Sequence, residues 1–447
     1  MRSTSVSRLR ISFLCSVVLS ALGGSVLSAA QEREVQSGGA FLRALDGQGE
    51  SESGARQSSQ GMLDPTVAEL QITRSWGGNK TARAWLARHL SQGLSTIDPV
   101  WGGAYQILDD GKGQARGVEK SLLKQSDYVR TYSQAAFAFD NSRFQDVAER
   151  LAEFSLLNLR RERGAFYVSE RVEVGNGLSA SEYLLLRDIQ RRDIAVPSVV
   201  KETPILSNAR MVEALCALYA STLEERFLVV AQEVMAWLET QLVVPAKGVR
   251  LSDAQLLDQS YVASAALRVY AVTADRSRLN GVVERLSGLS TFTLGGKSVA
   301  TKLTGRAQLA RLLNLTYRYS GRSELLAASQ KIALELRQHS SLGSEEDEAA
   351  RVLLEQELMR APTRITLVGA KESKRAQDLW RASLRCDVPY KRQEWLDARE
   401  GGLLNSDKQF PVLSQPAVFL CAEDRCSVAL FTEAEVKEKI GELFPPL

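Results

Sequence analysis

The sequence predicts a mainly α protein, an (α/α)6 toroid of helical hairpins with a small C-terminal α/β appendage. Three observations lead there. Amphipathic segments recur in pairs between residues 65 and 360. Within each pair the first segment is poor in charge and the second carries a charged face. The pairs are unevenly spaced, which suits a ring with inserted loops better than an open solenoid of fixed repeat.

Four pairs are legible: "DYVRTYSQAAFAFDNSRFQDVAERLAEFSLLNL", "NARMVEALCALYASTLEERFLVVAQEVMAWLETQL", "SYVASAALRVYAVTADRSRLNGVVERLSGL" and "AQLARLLNLTYRYSGRSELLAASQKIALELRQ". In each, a short turn of Ser, Thr, Asp, Asn or Gly precedes a large apolar residue: Phe144, Phe227, Leu279 or Leu325. These four residues are 83, 52 and 46 positions apart. Met211, Leu215 and Leu218 fall at i, i+4 and i+7, the spacing of one buried helix face. A first helix with so little charge should be buried on most sides, and its polar-faced partner should lie outside. Segments 65–110 and 165–205 leave room for two further hairpins.

The tail changes period. "TRITLVGA" (363–370) predicts a strand ending at Gly369, followed by a helix over about 372–384. "PAVFLCAEDRCSVAL" (416–430) predicts a strand, a turn and a second extended piece. A last helix starts at Thr432, with Glu435 three residues on to complete a capping box.

The N-terminus predicts export. Arg2, Arg8 and Arg10 precede the apolar stretch 11–22, and Ser28, Ala29 and Ala30 offer a small-residue cleavage site. The expected organisation is therefore a signal peptide (1–30), a flexible linker (31–64), the toroid (65–360) and the appendage (361–447). The expected location is periplasmic or extracellular, with no stable membrane span after cleavage. The formal charge is +3, and removing three arginines with the signal peptide leaves zero. With no basic stripe either, nucleic acid is not an expected partner.

Cys216, Cys386, Cys421 and Cys426 remain after cleavage, none in a Cys-x-x-Cys, and the histidines are His89 and His339. No metal site or cofactor is expected from so few ligands. Cys421 and Cys426 are near enough to form a disulfide after export, or to remain two buried thiols.

Several motifs, in order, resemble the helical part of the thioredoxin-domain-containing family that includes spermatogenesis-associated protein 20. That part is itself similar to N-acylglucosamine 2-epimerases and six-hairpin glycosidases. The resemblance rests on "DPVWGGAYQ" (98–106), "GVEKSLLKQSDYVRTYS" (117–133), "GAFYVSE" (164–170), "SNARMVEAL", "LLDQSYVASAAL" and "FLCAEDRCSVALFTEAEV". It spans roughly 65–442 and implies a toroid with a central site. The departures are informative. Residues 31–64 are too few for a thioredoxin-like domain. Gly117 and Val118 stand where the resemblance implies His and Phe, and Arg171 stands where it implies an acid. The implied Asp-Gln pair falls on Asp258 and Gln259.

A sugar site needs aromatic platforms and polar side chains for hydroxyls. Trp101, Tyr105, Tyr167 and Tyr261 are candidate platforms, with Lys120, Asn208 and Gln259 as polar contacts. Tyr128 is a further aromatic, equally suited to packing. Glycoside cleavage needs two facing carboxylates, for which Glu119, Asp98, Glu170 and Asp258 are candidates. Glu119 is equally suited to an ion pair, and Asp98 before Pro99 to opening a turn. Epimerisation usually wants proton donors and acceptors near neutral pKa, often histidines, and Gly117 removes one. Three functions follow: a catalytically degenerate toroid binding a carbohydrate or envelope glycan, an active carbohydrate enzyme built on Glu119, or a protein-interaction scaffold.

Overall fold

The computed structural model describes residues 63–109, 115–162, 164–175, 177–242, 251–290, 303–338, 344–405, 407–411, 413–422 and 425–447. The expected signal peptide, nearly all of the expected linker and His339 lie outside them. No described helix is long and apolar enough to cross a membrane.

Helix α1 (Pro65–Trp76) begins where the Asp64 carboxylate accepts the Thr66 and Val67 amides at 2.9 Å. It pairs with α2 (Lys80–Leu94), and α3 (Leu122–Phe139) pairs with α4 (Ser142–Phe154). Two short helices follow, α5 (Ala180–Leu185) and α6 (Asp188–Ile194). Three more hairpins come next: α7 (Ile205–Thr222) with α8 (Glu225–Gln241), α9 (Asp253–Thr273) with α10 (Arg276–Ser290), and α11 (Leu303–Ser320) with α12 (Ser323–Gln338).

The first helix of each hairpin packs on the first helix of the next. The order is α1, α3, α7, α9 and α11, then the single helix α13 (Glu345–Met359), which packs back onto α1 and closes the ring. The fold is thus an α/α toroid with six inner helices. Met211, Leu215 and Leu218 are each 0% exposed, as their spacing predicts. The five hairpin turns share one device, a left-handed residue: Gly78, Asp140, Leu223, Ala274 or Gly321. Leu223 and Ala274 hold it through amide bonds of 2.7 Å to Tyr219 O and Tyr270 O. After four of these turns a large apolar residue packs on the core; Phe227 and Leu325 are fully buried, and Phe144 is half-buried.

The ring departs from the expected plan in two places. Segment 65–110 does supply a hairpin, but 165–205 does not. Its place is taken by an antiparallel sheet of β1 (Gln106–Asp109), β2 (Ala115–Ser121), β3 (Ser169–Glu173) and β4 (Ser198–Val200), in that order. The period is two there: Val172 and Val174 are buried, whereas Arg171 and Glu173 point outward. These valines join Val118, Ala180, Tyr183 and Leu184 in a small core of their own. Second, α13 has no outer partner among the described residues, because the chain runs from it into the appendage.

The appendage is a mixed sheet of order β6-β5-β7-β8, built from β5 (Thr363–Val368), β6 (Lys391–Leu396), β7 (Ala417–Ala422) and β8 (Arg425–Cys426). Strands β5 and β6 are parallel and joined through α14 (Lys374–Leu384). Helix α15 (Glu433–Leu443) carries the Thr432–Glu435 capping box. Cys421 and Cys426 face each other across β7 and β8 and are disulfide-bonded, whereas Cys216 and Cys386 are buried free thiols. The appendage seals the C-terminal ends of the inner helices. The Trp380 indole donates to Val272 O at 2.9 Å, Lys371 to Ala274 O at 2.8 Å, and the Gln393 amide to the Tyr319 hydroxyl at 2.9 Å.

Candidate functional site

The inner helices surround a cavity of about 100 Å³. All six contribute to its wall, and Pro389, Tyr390 and Lys391 of the appendage form its floor. Charged residues from all six inner helices meet at this wall: Glu69 on α1, Arg130 on α3, Arg210 and Glu213 on α7, Arg268 on α9, Arg311 on α11 and Glu357 on α13.

Three arginines and three glutamates alternate around the wall. Arg311 donates to Glu357 at 3.0 Å and also to Glu69. Arg130 donates to Glu69 at 2.9 Å and lies 3.5 Å from Glu213. Arg210 lies 3.5 Å from Glu213 and donates to Gln308 at 2.7 Å. Ser264 also donates to Glu213, at 2.5 Å. Burial alone would raise these carboxyls, since water stabilises the charged form better than protein does. For Glu69 the arginines outweigh burial and hold it at about 2. Glu213 is likewise lowered, by Arg210, Arg130 and Arg268 against burial. Glu357 is raised, because burial outweighs Arg311.

The fourth arginine breaks the alternation. Arg268 lines the same wall but has no hydrogen bond or ion pair among the described residues. Tyr261, seven residues earlier on the same helix face, also lines the cavity with no hydrogen bond from its hydroxyl among them.

Near the N-terminal ends of the inner helices sit Asp64, Asp127, Asp258 and Glu345, all with raised carboxyl pKa values and burial as the main cause. Asp127 is pushed up to about 7 by burial; Asp64 and Glu346 add to this, and Arg210 and Arg130 oppose it.

Most of the residues named from sequence lie elsewhere, on the sheet beside the ring. Asp98 accepts both Arg191 Nη1 contacts, at 2.9 and 2.7 Å, and Lys120 Nζ at 2.8 Å. Arg191 is 0% exposed and gives its other donors to Leu184 O and Leu186 O. Lys120 also lies 3.8 Å from Glu170, its cross-strand neighbour, and over the rings of Phe154 and Trp101. A hydrolytic pair needs a glycosidic bond between its two carboxyls. Between Asp98 and Glu170 there is instead a buried ammonium. The Trp101 indole donates to Asp188 at 2.5 Å, and Arg191 stacks on its ring. Gly102 and Gly103 both take positive φ, and a Cβ on Gly103 would meet the Phe154 ring at 2.8 Å.

Glu119 sits apart from this group. It is flanked in register by Gln106 on β1 and Arg171 on β3, and accepts from both at 2.7 Å. Those partners, chiefly Arg171, offset the effect of burial and lower its pKa. Arg171, which departs from the pattern implied by the resemblance, is thus what engages Glu119. Tyr105 donates to Ser95 O at 3.2 Å, and Tyr128 is a packed core residue. Tyr167 is half-buried. Asn208 brackets the Phe166 backbone, accepting its amide at 2.8 Å and donating to its carbonyl at 3.1 Å. Gln259 is buried and accepts from Arg285, and Asp258 is half-buried one position away. Of these residues, Tyr261 lines the cavity. Among the described residues, no group of three or more His, Cys, Asp or Glu is placed to hold a metal ion.

No family model matches the chain, and no curated protein matches it. Among solved structures it is similar to a sugar epimerase from a ruminal bacterium, at 12% sequence identity and a TM-score of 0.48, over 65% of this chain and 86% of that one. It is also similar to cellobiose 2-epimerase from Bacillus thermoamylovorans B4167, at 12% identity and a TM-score of 0.44, over 66% and 86%. A family 76 glycoside hydrolase from a bovine Bacteroides thetaiotaomicron strain aligns at 13% identity and a TM-score of 0.45, over 67% and 68%.

Proposed function

We propose that this protein is an exported carbohydrate-binding toroid, a catalytically degenerate relative of the thioredoxin-domain-containing family, and that its ligand enters the ring. The supporting observation is the cavity lined by all six inner helices, with polar side chains for hydroxyls and the Tyr261 ring as an apolar platform. Its carboxylates are engaged: Glu69, Glu213 and Glu357 are all paired with arginines. Among the described residues, no histidine is part of its lining. Such a wall binds hydroxyls well and offers little for proton transfer. On the sheet, Asp98, Glu119, Lys120 and Glu170 act as structural ion pairs in this reading, with the Trp101 ring packed against Lys120.

Thermal-shift titration of the purified protein against a panel of neutral and charged sugars tests it. At least one sugar should raise Tm saturably, and Tyr261→Ala should weaken that effect. A flat response to every sugar rejects the reading. One observation favours an enzyme instead: Asp127 holds a carboxyl whose pKa is pushed up to about 7, the range a general acid needs. Sugar turnover followed by NMR, and lost in Asp127→Asn, would establish that alternative.

A further inference from the structure

The charge pattern of the cavity narrows the ligand. Arginines 130, 210 and 311 each have a glutamate partner, and among the described residues the wall holds three glutamates. Lys391 in the floor is matched by Asp387 at 3.2 Å, and Arg268 is the cation left over among the described residues. It belongs to the carboxylate field, since it helps to lower Glu213, yet it makes no hydrogen bond among the described residues. Its five donors form a planar fork matched to a carboxylate or phosphate. Apolar side chains flank it in the lining, with Leu267 and Leu312 buried and Leu315 half-buried. Burial strengthens a charge contact and raises the cost of leaving the charge unmatched.

Position supplies the second half of the argument. Tyr261, Ser264 and Arg268 lie at i, i+3 and i+7 on α9, all on the cavity face. Seven residues of helix span about 10 Å. Tyr261 stands nearer the N-terminal end of the ring and Arg268 nearer the appendage floor. A single sugar ring with one charged substituent can therefore rest against the tyrosine and direct its charge inward.

We infer that the cavity takes a small sugar carrying one anionic group, a hexuronate or a sugar phosphate, and that Arg268 is the residue that recognises the anion. The inference rests on the carbohydrate-binding reading of the cavity. One surplus cation matches one anionic group. A neutral sugar would leave Arg268 without a counter-charge.

Calorimetric titration of the purified protein with glucuronate, galacturonate, glucose 6-phosphate, glucose, acetate and inorganic phosphate tests it. At least one charged sugar should bind more than about tenfold tighter than glucose, the least expected of a charge-assisted fork. The uronate and phosphate arms then tell which anion it is. Arg268→Met should bring charged-sugar affinity down to that of glucose measured on the same variant, and Arg268→Lys should restore part of the preference. Should the Met variant fail to fold, Arg268→Gln serves in its place. Glucose binding as tightly as the charged sugars would overturn the inference and leave the carbohydrate reading standing. Acetate or phosphate alone binding as tightly as a charged sugar would overturn the sugar as part of the ligand. Charged-sugar affinity unaffected by Arg268→Met would overturn the role of Arg268. Binding of no sugar at all would remove the carbohydrate reading, and this inference with it.

Discussion

Two clusters of arginine and carboxylate lie within the same protein and do different things with their charge. On the sheet beside the ring, Asp98, Lys120, Arg191 and Glu170 interlock, with Arg191 0% exposed and each cation within reach of a carboxylate. In the cavity, Glu69, Glu213 and Glu357 alternate with three arginines around open space, and Arg268 is left over. The first arrangement is complete in itself. The second is incomplete in one charge and encloses open space, where the proposed ligand would supply the counter-charge. Counting ionisable residues would rank the two alike; counting unmatched ones separates them.

The sharpest way to break the comparison is to remove Asp98. Asp98→Ala leaves Arg191 and Lys120 buried without their carboxylate, which should cost about 3–5 kcal/mol in urea denaturation. A loss below about 1 kcal/mol would mean that the sheet cluster is not a closed structural unit. In the cavity, Glu69→Gln takes away the negative charge shared by Arg130 and Arg311. Water and the other glutamates can compensate there, so a smaller loss of about 1–3 kcal/mol is expected from the same measurement.

The buried carboxyl near the N-terminal end of α3 can be tested by pH. Burial raises the Asp127 carboxyl to about 7, whereas an unfolded Asp titrates near 3.9. Between about pH 4 and 7 the folded chain therefore holds a proton that the unfolded chain has released. Stability falls across that window and stays low above it. Asp127→Asn lacks the term, so its Tm should exceed wild type by roughly 3–8 °C at pH 8 and match it near pH 4. An equal difference at both pH values would contradict the raised carboxyl. The smallest effect belongs to Arg171, whose side chain is 48% exposed. Arg171→Ala should cost under about 1 kcal/mol and leave sugar affinity unchanged. A clear loss of binding would bring Glu119 back into the functional site.

The hairpins were legible because their signals are local. Met211, Leu215 and Leu218 face the core as their spacing implies, and Phe227 and Leu325 mark the turns they should. The sheet at 106–200 was harder to read. Its strands are short, and the alternation around Val172 covers only a few residues before α5 begins. The cavity charges also had a signal, since Arg130, Glu213, Arg268 and Arg311 interrupt helices otherwise poor in charge. The segment "DPVWGGAYQ" and Glu119 lie on or beside the sheet, where Asp98 and Glu119 are held in ion pairs.

Sequence alone determined the hairpin grammar, the turn positions and the capped helix of the tail, because periodicity and capping act within a few residues. Tertiary structure decided which charges meet. Glu69 and Arg311 are 242 positions apart and are joined only because α13 closes the ring between their helices. The same closure gathers three matched arginines and one unmatched arginine around a single cavity. No local pattern specifies which arginine will lack a partner, since that depends on the helices on every side of it.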